Sequence, residues 1–339
     1  MQTELERLVA RYRALGIDSQ IDYDKFYLYS IITHSTAIEG STITELENQI
    51  MFEQGISLKG KTLEEQNMNL DLKVAYEKAI GLARAHTPIT TGLLKELAAI
   101  VMKNTGKEYK TALGDFSSAK GDLRLLNVTA GVGGRSYMNY SKVPAKLEEF
   151  CAGLNEKRKA CAGEGVMRLY NMSFDAHFNL VTMHLWADGN GRMARLLMNM
   201  LQFEFGLIPT IIMKEDKEEY IKALVATREH EDLSIFRDFM TAMMARNLSH
   251  DIDAFCKSLD SGMGSGEKTQ GSGEKKVKSR EKIISLLLQD GSLSAASLAG
   301  YIGITAKAVE KQLARLKAEG LIRRVGPDKG GYWQVLKEP

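Results

Sequence analysis

The chain has 339 residues, which is long for one domain and suits two. Hydrophobic residues make up 44% and charged residues 26%, with only five prolines, a composition that excludes a disordered or fibrous chain. The start carries charges every few residues, and no uncharged apolar stretch reaches the roughly 18 residues of a membrane span. We therefore expect no signal peptide, no membrane partner and a cytoplasmic location. Three widely spaced thiols, Cys151, Cys161 and Cys256, suggest neither a zinc site nor a disulfide framework.

Apolar residues at three- and four-residue spacing predict a mainly helical body. The predicted helices are Leu5–Leu15, Asp24–Glu39, Thr44–Phe52, Leu63–Ala85, Thr91–Lys103, Pro144–Lys159, Val166–His184, Gly191–Phe205, Lys217–His230 and Ser234–Leu259. Thr44 and Glu47 form the pattern of a capping box, and Gly40 suits a left-handed end to the preceding helix. On that preceding helix, Ser35 and Glu39 are four residues apart and therefore share one face.

The segment Gly121–Tyr140 departs from the helical pattern. Leucines and a valine precede the sequence GVGG, which predicts a β-hairpin whose first strand covers Leu125–Ala130. An isolated hairpin on a helical body is often a working loop rather than part of the core. We therefore expect this hairpin to belong to a functional site.

The segment His184–Arg195, with the sequence HLWADGNGRMAR, concentrates glycines and charges within twelve positions. A helix is expected to end near His184, followed by a Gly-Asn-Gly turn and a new helix from about Gly191. Glycines on both sides of Asn190 leave the backbone amides accessible, and the dipole of the new helix adds positive potential. This turn is therefore a natural anion site.

Side chains around the turn complete a polyphosphate site. Arg192 and Arg195 lie three residues apart on the new helix, and arginine forks match phosphate oxygens in pairs. Asp188 supplies the carboxylate that a magnesium ion needs beside phosphates. His184 takes a proton near neutral pH and is the candidate base. Each feature alone has a purely structural interpretation, such as a capped helix or a solvated arginine. Their occurrence together within twelve residues favours a polyphosphate-binding site.

This segment resembles the motif of the Fic family, His-x-Phe-x-(Asp/Glu)-Gly-Asn-Gly-Arg-x-x-Arg. Every charged and glycine position matches, and Leu185-Trp186 stand where the family has Pro-Phe, with the aromatic ring expected to anchor the loop in the core. The resemblance covers roughly residues 35–248. It includes His177, Asn199, Gly206, Pro209, Tyr220–Leu224 and the hairpin, which is similar to the family's flap.

The resemblance implies a mainly α fold, a Fic-like helical bundle with a β-hairpin flap, and a protein adenylyltransferase that moves AMP from ATP to a Ser, Thr or Tyr hydroxyl of a target protein. His184 would deprotonate the hydroxyl, and Asp188 would hold Mg²⁺. Arg192 and Arg195 would stabilise the departing pyrophosphate. The nucleotide-binding residues would be Gly189, Asn190, Gly191, Arg192, Arg195 and Tyr220. The flap would dock the target through Arg124, Leu125, Leu126, Asn127 and Val128.

The segment Ser35–Gly40 resembles the family's inhibitory helix, (Ser/Thr)-x-x-x-Glu-(Gly/Asn), placed before the catalytic motif. The resemblance implies that Glu39 enters the site, pairs with Arg195 and removes it from the γ-phosphate, which leaves ATP misplaced. The alternative interpretation is a solvated glutamate before a helix-ending glycine.

The C-terminal part differs from the body in charge and composition. Residues 260–276 contain five glycines and three serines, which predicts a flexible linker, and residues 276–339 carry 12 Lys/Arg against 6 Asp/Glu. Predicted helices and strands after the linker resemble a winged helix-turn-helix; they are Lys278–Gln289, Ser294–Ile302, Thr305–Glu319, Leu321–Val325 and Tyr332–Leu336. Lys307, Lys311 and Arg315 share one helix face, which favours DNA as a partner, although winged helices also dock proteins.

The expected organisation is N-terminal helices at 1–34, a Fic-like catalytic domain at 35–259, a linker at 260–276 and a winged-helix domain at 277–339. One alternative keeps this fold but transfers another nucleotide or a phosphate, or removes AMP. Another is a DNA-binding regulator that senses nucleotide, against which the intact His184 argues because sensing needs no base. The sequence leaves open the target protein and whether the chain forms a homo-oligomer.

Overall fold

The computed structural model describes residues 3–19, 23–129, 136–263, 306–325 and 332–336, together with 280, 283–284, 286–288, 291, 293–295 and 298–299. Contacts divide the chain into two units, Met1–Leu259 and Asp260–Pro339. The helices of the first unit are α1 (Glu4–Ala14), α2 (Tyr23–Ile38), α3 (Glu45–Gln54), α4 (Leu63–Arg84), α5 (Thr91–Val101), α6 (Val143–Cys161), α7 (Val166–Met183), α8 (Asn190–Glu204), α9 (Lys217–His230) and α10 (Leu233–Met263). The mainly helical body is confirmed, with helix ends that differ from prediction by a few residues.

Helix α8 lies between α4 and α7, and 12 of its 15 residues are buried. A helix that is buried on nearly all sides is typical of a protein interior. Its polar residues find partners there: Tyr76 Oη donates to Asn199 Oδ1 at 2.8 Å, and Gln202 Nε2 donates to Ser173 Oγ at 3.0 Å. The two arginines of the sequence motif are on this helix, which therefore carries them into the core.

Helix α1 and the end of α10 lie near the two ends of the first unit. Helix α1 contributes Leu5, Val9 and Tyr12 to the core shared with α7 and α10, so the first residues are part of the same unit as the motif. Helix α10 continues to Met263, beyond the predicted start of the linker at residue 260. Extending a formed helix adds one hydrogen bond for each residue that is fixed, so a helix continues past its last packed turn. Residues 264–276 lie outside the described residues.

The predicted strand Leu125–Ala130 is wrong for residues 125–128, which have no regular strand. Two contacts join the arms of the flap: an antiparallel bridge between Thr129 and Ser136, and a bond from the Tyr137 amide to the Val128 carbonyl at 3.0 Å. Arg124 accounts for the difference, because its guanidinium bonds the Leu126 carbonyl at 2.7 Å and removes it from strand pairing. The predicted turn falls within 130–135, outside the described residues.

A hairpin that the sequence did not predict precedes the flap. Strands β1 (Glu108–Thr111) and β2 (Gly114–Ser117) pair antiparallel, and the rings of Tyr109 and Phe116 stack with centroids 4.7 Å apart. Strands of four residues are too short to show a convincing alternation of polar and apolar residues.

Helix α2 is fixed to α3 and α4 by a buried network of hydroxyl and amide side chains. Asn69 Oδ1 accepts from the Thr36 hydroxyl at 2.9 Å and from Asn48 Nδ2 at 2.8 Å. Asn69 Nδ2 donates to Ser41 Oγ at 3.1 Å, and Asn48 Nδ2 also donates to Thr33 Oγ1 at 2.8 Å. Because buried polar groups that satisfy one another specify a single arrangement, this network sets the position of the last turn of α2.

Two predicted local features of this region are confirmed. Thr44 and Glu47 form the capping box of α3, and Gly40 has a positive φ of 108° after α2. The glycine therefore allows the sharp change of direction between α2 and α3.

In the second unit, the described residues include α11 (Ala306–Ala318) and the antiparallel strands β3 (Ile322–Val325) and β4 (Tyr332–Val335). Helix α11 buries Val309, Leu313 and Leu316, while Lys307 and Lys311 are exposed. The predicted third helix and both strands are confirmed. Most of the predicted helices at 278–289 and 294–302, and the turn at 326–331, lie outside the described residues.

Asn69→Ala is expected to lower the free energy of unfolding by about 1–3 kcal/mol, because buried partners lose their hydrogen bonds. Urea unfolding followed by fluorescence in a Trp333→Phe background reports on the first unit, since Trp186 is then the one tryptophan present. Gln49→Ala, at an exposed position of α3, is the matched control and should change stability by less than about 0.5 kcal/mol. Equal stabilities of the two variants would contradict the structural role of the network.

Candidate active site

The motif forms the connection between α7 and α8. His184 ends α7 in a left-handed conformation with φ 50°, and Gly189, with φ 81°, precedes α8. Asn190 closes the loop, since its side chain accepts from the Trp186 amide at 3.1 Å and donates to the Trp186 carbonyl at 2.8 Å. Trp186 is buried and donates from Nε1 to the Gly121 carbonyl at 3.1 Å, which confirms that the aromatic ring anchors the loop.

The predicted base, His184, lies against the flap. Burial lowers the pKa of His184 to about 4, and the charges of Arg124 and Arg228 add to this effect. The Val181 carbonyl and Asp188 oppose it. The imidazole is therefore neutral near pH 7, which is the state that accepts a proton.

The start of α8 has little room for side chains. A Cβ at Gly189 would lie 2.6 Å from Met102 Sδ, and a Cβ at Gly191 would lie 2.6 Å from Glu39 Oε1. The first amides of a helix have no carbonyl partner within it, so they face an anion that approaches this end. In this structure the Glu39 carboxylate lies against the first turn of α8.

Arg192 is buried beside this turn and has weak acceptors. Its Nη1 donates to the Val101 carbonyl at 3.5 Å and its Nη2 to Met102 Sδ at 3.1 Å, whereas its Nε has no partner among the described residues. Asp188 Oδ1 lies 3.8 Å from Nη2. Burial lowers the pKa of Arg192 below its ordinary value. The guanidinium therefore retains hydrogen-bond donors for an anionic ligand.

Arg195 is held by the end of α2. Its Nε donates to Ser35 Oγ at 2.8 Å, and its Nη2 donates to the Ser35 carbonyl at 3.0 Å and to Glu39 Oε1 at 2.5 Å. Burial lowers the pKa of Arg195, but Glu39 and Tyr220 outweigh this and raise it above its ordinary value. Burial likewise raises the pKa of Glu39, but Arg195 and then Arg192 hold it below its ordinary value. Both groups are therefore charged, and they form an ion pair.

Tyr220, predicted to bind nucleotide, is fully buried behind Arg195. Its hydroxyl lies 2.9 Å from His177 Nε2, and burial is the main cause that raises the pKa of Tyr220 to about 12. The structure thus places Tyr220 next to the arginine rather than at an open surface.

Among the flap residues predicted to dock a target, Arg124 is buried. Its guanidinium donates to the carbonyls of His184, at 2.7 Å, Leu126 and Met138. All three bonds are internal, so the side chain joins the two arms of the flap to the base. Leu125, Leu126 and Val128 are half-buried and Asn127 is exposed.

The structure adds residues that the sequence did not single out. The Tyr137 ring stacks on the His184 imidazole, and the Arg228 guanidinium lies over the Tyr137 ring. Arg228 is four residues after Leu224 on α9, so helical periodicity could have placed it on the same face as the end of the segment Tyr220–Leu224. Tyr137 follows no periodic pattern that could have placed it there.

Comparisons with known proteins agree with this geometry. Residues 88–202 match the Fic/DOC family, and residues 278–323 match a family described as winged helix-turn-helix DNA-binding. The chain carries a Fic domain. The winged helix-turn-helix predicted for the tail is also confirmed.

The relatives of this chain include two curated adenylyltransferases. The protein adenylyltransferase fic-1 of Caenorhabditis elegans is 24% identical over 246 residues, which are 72% of this chain and 44% of the relative. The protein adenylyltransferase Fic of Culex quinquefasciatus is 27% identical over 253 residues, which are 73% of this chain and 47% of the relative. This chain therefore spans less than half the length of either relative.

A solved structure shows the same fold as the Fic domain and its neighbouring helices. A Fic domain-containing signaling protein from Bacteroides thetaiotaomicron superposes with a TM-score of 0.61 at 21% identity, over 74% of this chain and 97% of that chain. Across the described parts of the chain, none of the helices combines the length and apolarity needed to cross a membrane.

His184 is expected to stay neutral between pH 5 and 7, where a free histidine with a pKa near 6.5 takes up its proton. As the pH falls, the ring should accept a proton only near pH 4. NMR of protein labelled with ¹³C in the histidine rings measures this titration, and His184→Asn identifies the signal. A titration centred near 6.5 would show that the imidazole is solvated and that the flap does not cover it.

Proposed function

We propose that this Fic protein transfers AMP from ATP to a hydroxyl side chain of a target protein. The observation that carries the proposal is the convergence, at one helix start, of a neutral base with two buried guanidinium groups. His184 ends α7, while Arg192 and Arg195 lie in the first two turns of α8 and are buried. The names of the two curated relatives support the same activity.

In the proposed reaction, the target hydroxyl attacks the α-phosphate of ATP. A new P–O bond forms, the bond to the bridging oxygen of the β-phosphate breaks, and the hydroxyl proton passes to the ring of His184. Arg192 and Arg195 stabilise the charge on the departing pyrophosphate. The negative charge of bound phosphates raises the pKa of His184 from about 4 toward neutrality, so the imidazole becomes a stronger base once ATP is present.

Asp188 fits a magnesium ion that accompanies ATP. Its side chain is 56% exposed, and its Oδ1 accepts from the Gly189 amide at 2.6 Å, so the carboxylate stays open to a further partner. No cluster of three or more metal-ligating side chains occurs among the described residues. Mg²⁺ is commonly bound by one or two carboxylates together with substrate phosphates, which is the arrangement that we propose here. When bound, the ion would neutralise phosphate charge.

Glu39 is proposed to restrain this activity. Its carboxylate bonds Arg195 at 2.5 Å and lies where a Gly191 side chain would otherwise begin. A phosphate at the start of α8 would need the same guanidinium and the same space. The carboxylate and the γ-phosphate therefore compete, and ATP bound beside Glu39 would lack its contact to Arg195.

The flap is proposed to present the target hydroxyl. Asn127 and Thr129 are exposed on its first arm, next to the bridge to Ser136. Adding an extended segment of the target along this arm would supply backbone hydrogen bonds without a requirement for one target sequence. A cytoplasmic location is proposed from the need for ATP and from the three free thiols.

Duplex DNA is the proposed partner of the second unit. Lys307 and Lys311 are exposed on α11, opposite the residues that this helix buries. Lysines on one face of such a helix suit the phosphates that flank a groove.

Glu39→Gly is expected to raise the rate of AMP transfer by about tenfold or more, because Arg195 becomes free to contact ATP. A tenfold change corresponds to about 1.4 kcal/mol in the activation free energy. Full-length protein is incubated with Mg²⁺ and with ATP labelled either at the α- or at the γ-phosphate, and label on protein is followed. Adding His184→Ala should abolish transfer while ATP binding persists. Arg195→Ala should remove the benefit of Glu39→Gly, because both act through one guanidinium.

Label from the γ-phosphate but not from the α-phosphate would identify phosphate transfer instead. If the Glu39→Gly protein binds ATP but acquires no label from either phosphate, the proposed activity is wrong. Equal transfer with and without Glu39 would refute the restraint while leaving the activity intact.

For the second unit, Lys307→Ala and Lys311→Ala are each expected to reduce the slope of log Kd against log salt by about 0.9 on duplex DNA. Fluorescence anisotropy of a labelled duplex between 50 and 200 mM salt, about the range over which such contacts weaken markedly, provides the measurement. Lys317→Ala removes the same charge from another side of α11 and serves as the control. Equal slopes in all three variants would exclude this face as the DNA contact.

A further inference from the structure

Three elements meet in a stack at the base. The rings of Tyr137, from the flap, and His184 are 4.0 Å apart between centroids and inclined by 16°. The Arg228 guanidinium, from α9, lies 5.5 Å from the centroid of the Tyr137 ring. A cation over an aromatic face is attracted by the ring quadrupole, so Arg228 holds the tyrosine while the tyrosine covers the imidazole.

Among the described residues, no polar side chain bonds Nδ1 of the imidazole. His184 Nδ1 is buried without a hydrogen-bond partner of ordinary geometry, although the Val181 carbonyl lies near enough to raise the pKa of the ring. In many sites a carboxylate bonded to one ring nitrogen sets the orientation of the other. Here packing adds to whatever the Val181 carbonyl contributes, and Tyr137 is the aromatic ring stacked against His184 in the described structure.

Hydrogen bonds also fix the backbone of Tyr137 relative to the backbone of His184. Its amide donates to the Val128 carbonyl at 3.0 Å, and the next carbonyl, of Met138, accepts from Arg124. Arg124 also donates to the His184 carbonyl at 2.7 Å. One guanidinium therefore fixes the tyrosine backbone and the histidine backbone together, and the stack follows from this shared anchor.

We propose that Tyr137 is a positioning residue for AMP transfer, which holds the imidazole of His184 in the plane from which it accepts the target proton, with Arg228 as its outer support. The inference rests on the proposed function. The rate of proton transfer depends on the position of the base as well as on its pKa. A misplacement of about 1 Å costs on the order of 100-fold in rate.

The kinetic test uses the full chain in a Glu39→Gly background and follows self-modification with ATP labelled at the α-phosphate. Tyr137→Ala is expected to lower kcat by about tenfold or more with the KM for ATP nearly unchanged, because ring orientation is lost but phosphate contacts are kept. Tyr137→Phe keeps the stacked ring and should stay close to the parent. Tyr140→Ala, which removes a neighbouring ring that does not contact His184 in the described structure, is the matched control.

The second measurement does not depend on activity. In Tyr137→Ala the pKa of His184 should rise from about 4 toward 6.5, because water reaches the face of the ring, with Arg124, Arg228 and Asp188 still beside it. Tyr137→Phe should leave the titration unchanged.

The outcomes separate the two hypotheses. An unchanged kcat in Tyr137→Ala, or equal losses in Tyr137→Ala and Tyr137→Phe, overturns the positioning role. Absence of label already in the Glu39→Gly parent would overturn the proposed function instead. In that case the titration alone decides whether the tyrosine covers the imidazole.

Discussion

Two guanidinium charges three residues apart on a helix buried on nearly every side impose the main physical constraint on this site. Removing a charge from water costs several kcal/mol unless a partner compensates, so the groups packed around α8 must supply negative charge or accept hydrogen bonds. Glu39 meets this requirement for Arg195. Within the described part of the chain, Arg192 has a long carbonyl contact, a thioether and the more distant Asp188, which lies 3.8 Å away. An arginine buried with such weak acceptors is suited to a ligand that brings its own negative charge.

Sequence periodicity predicted the body helices because their apolar faces are long and regular, and the Thr44–Glu47 box because its pattern is local. The contact of Glu39 with Arg195 followed from resemblance and not from spacing, since 156 positions separate the two residues. The flap could not be predicted in detail, because the Leu126 carbonyl is taken by the Arg124 side chain instead of a neighbouring strand. The same limit applies to Tyr137, whose stacking partner belongs to another segment of the chain. Long-range contacts of single side chains leave no periodic signal.

The proposed restraint by Glu39 and the framework of the fold are linked through α2. Thr36 is bonded to Asn69 deep in the core, only three residues before Glu39. Gly40 follows with a positive φ, so the chain turns sharply just after the glutamate. The last turn of α2, which carries Glu39, is therefore anchored on one side and ends at a sharp turn on the other. The helix therefore is both a structural part of the core and the support of the carboxylate that pairs with Arg195.

The three carbonyl bonds of Arg124 have an evolutionary consequence. They hold the flap at Leu126 and Met138, on either side of its tip, and attach both arms to the backbone of His184. Loop closure costs only about 0.6 kcal/mol for each doubling of loop length, so insertions in the tip are inexpensive while the arms stay fixed. Variation in length between the arms would then leave the contacts among Leu126, Met138 and His184 in place. Lysine could not substitute for Arg124, because a single ammonium group cannot reach three carbonyls that diverge as the arms of this guanidinium do.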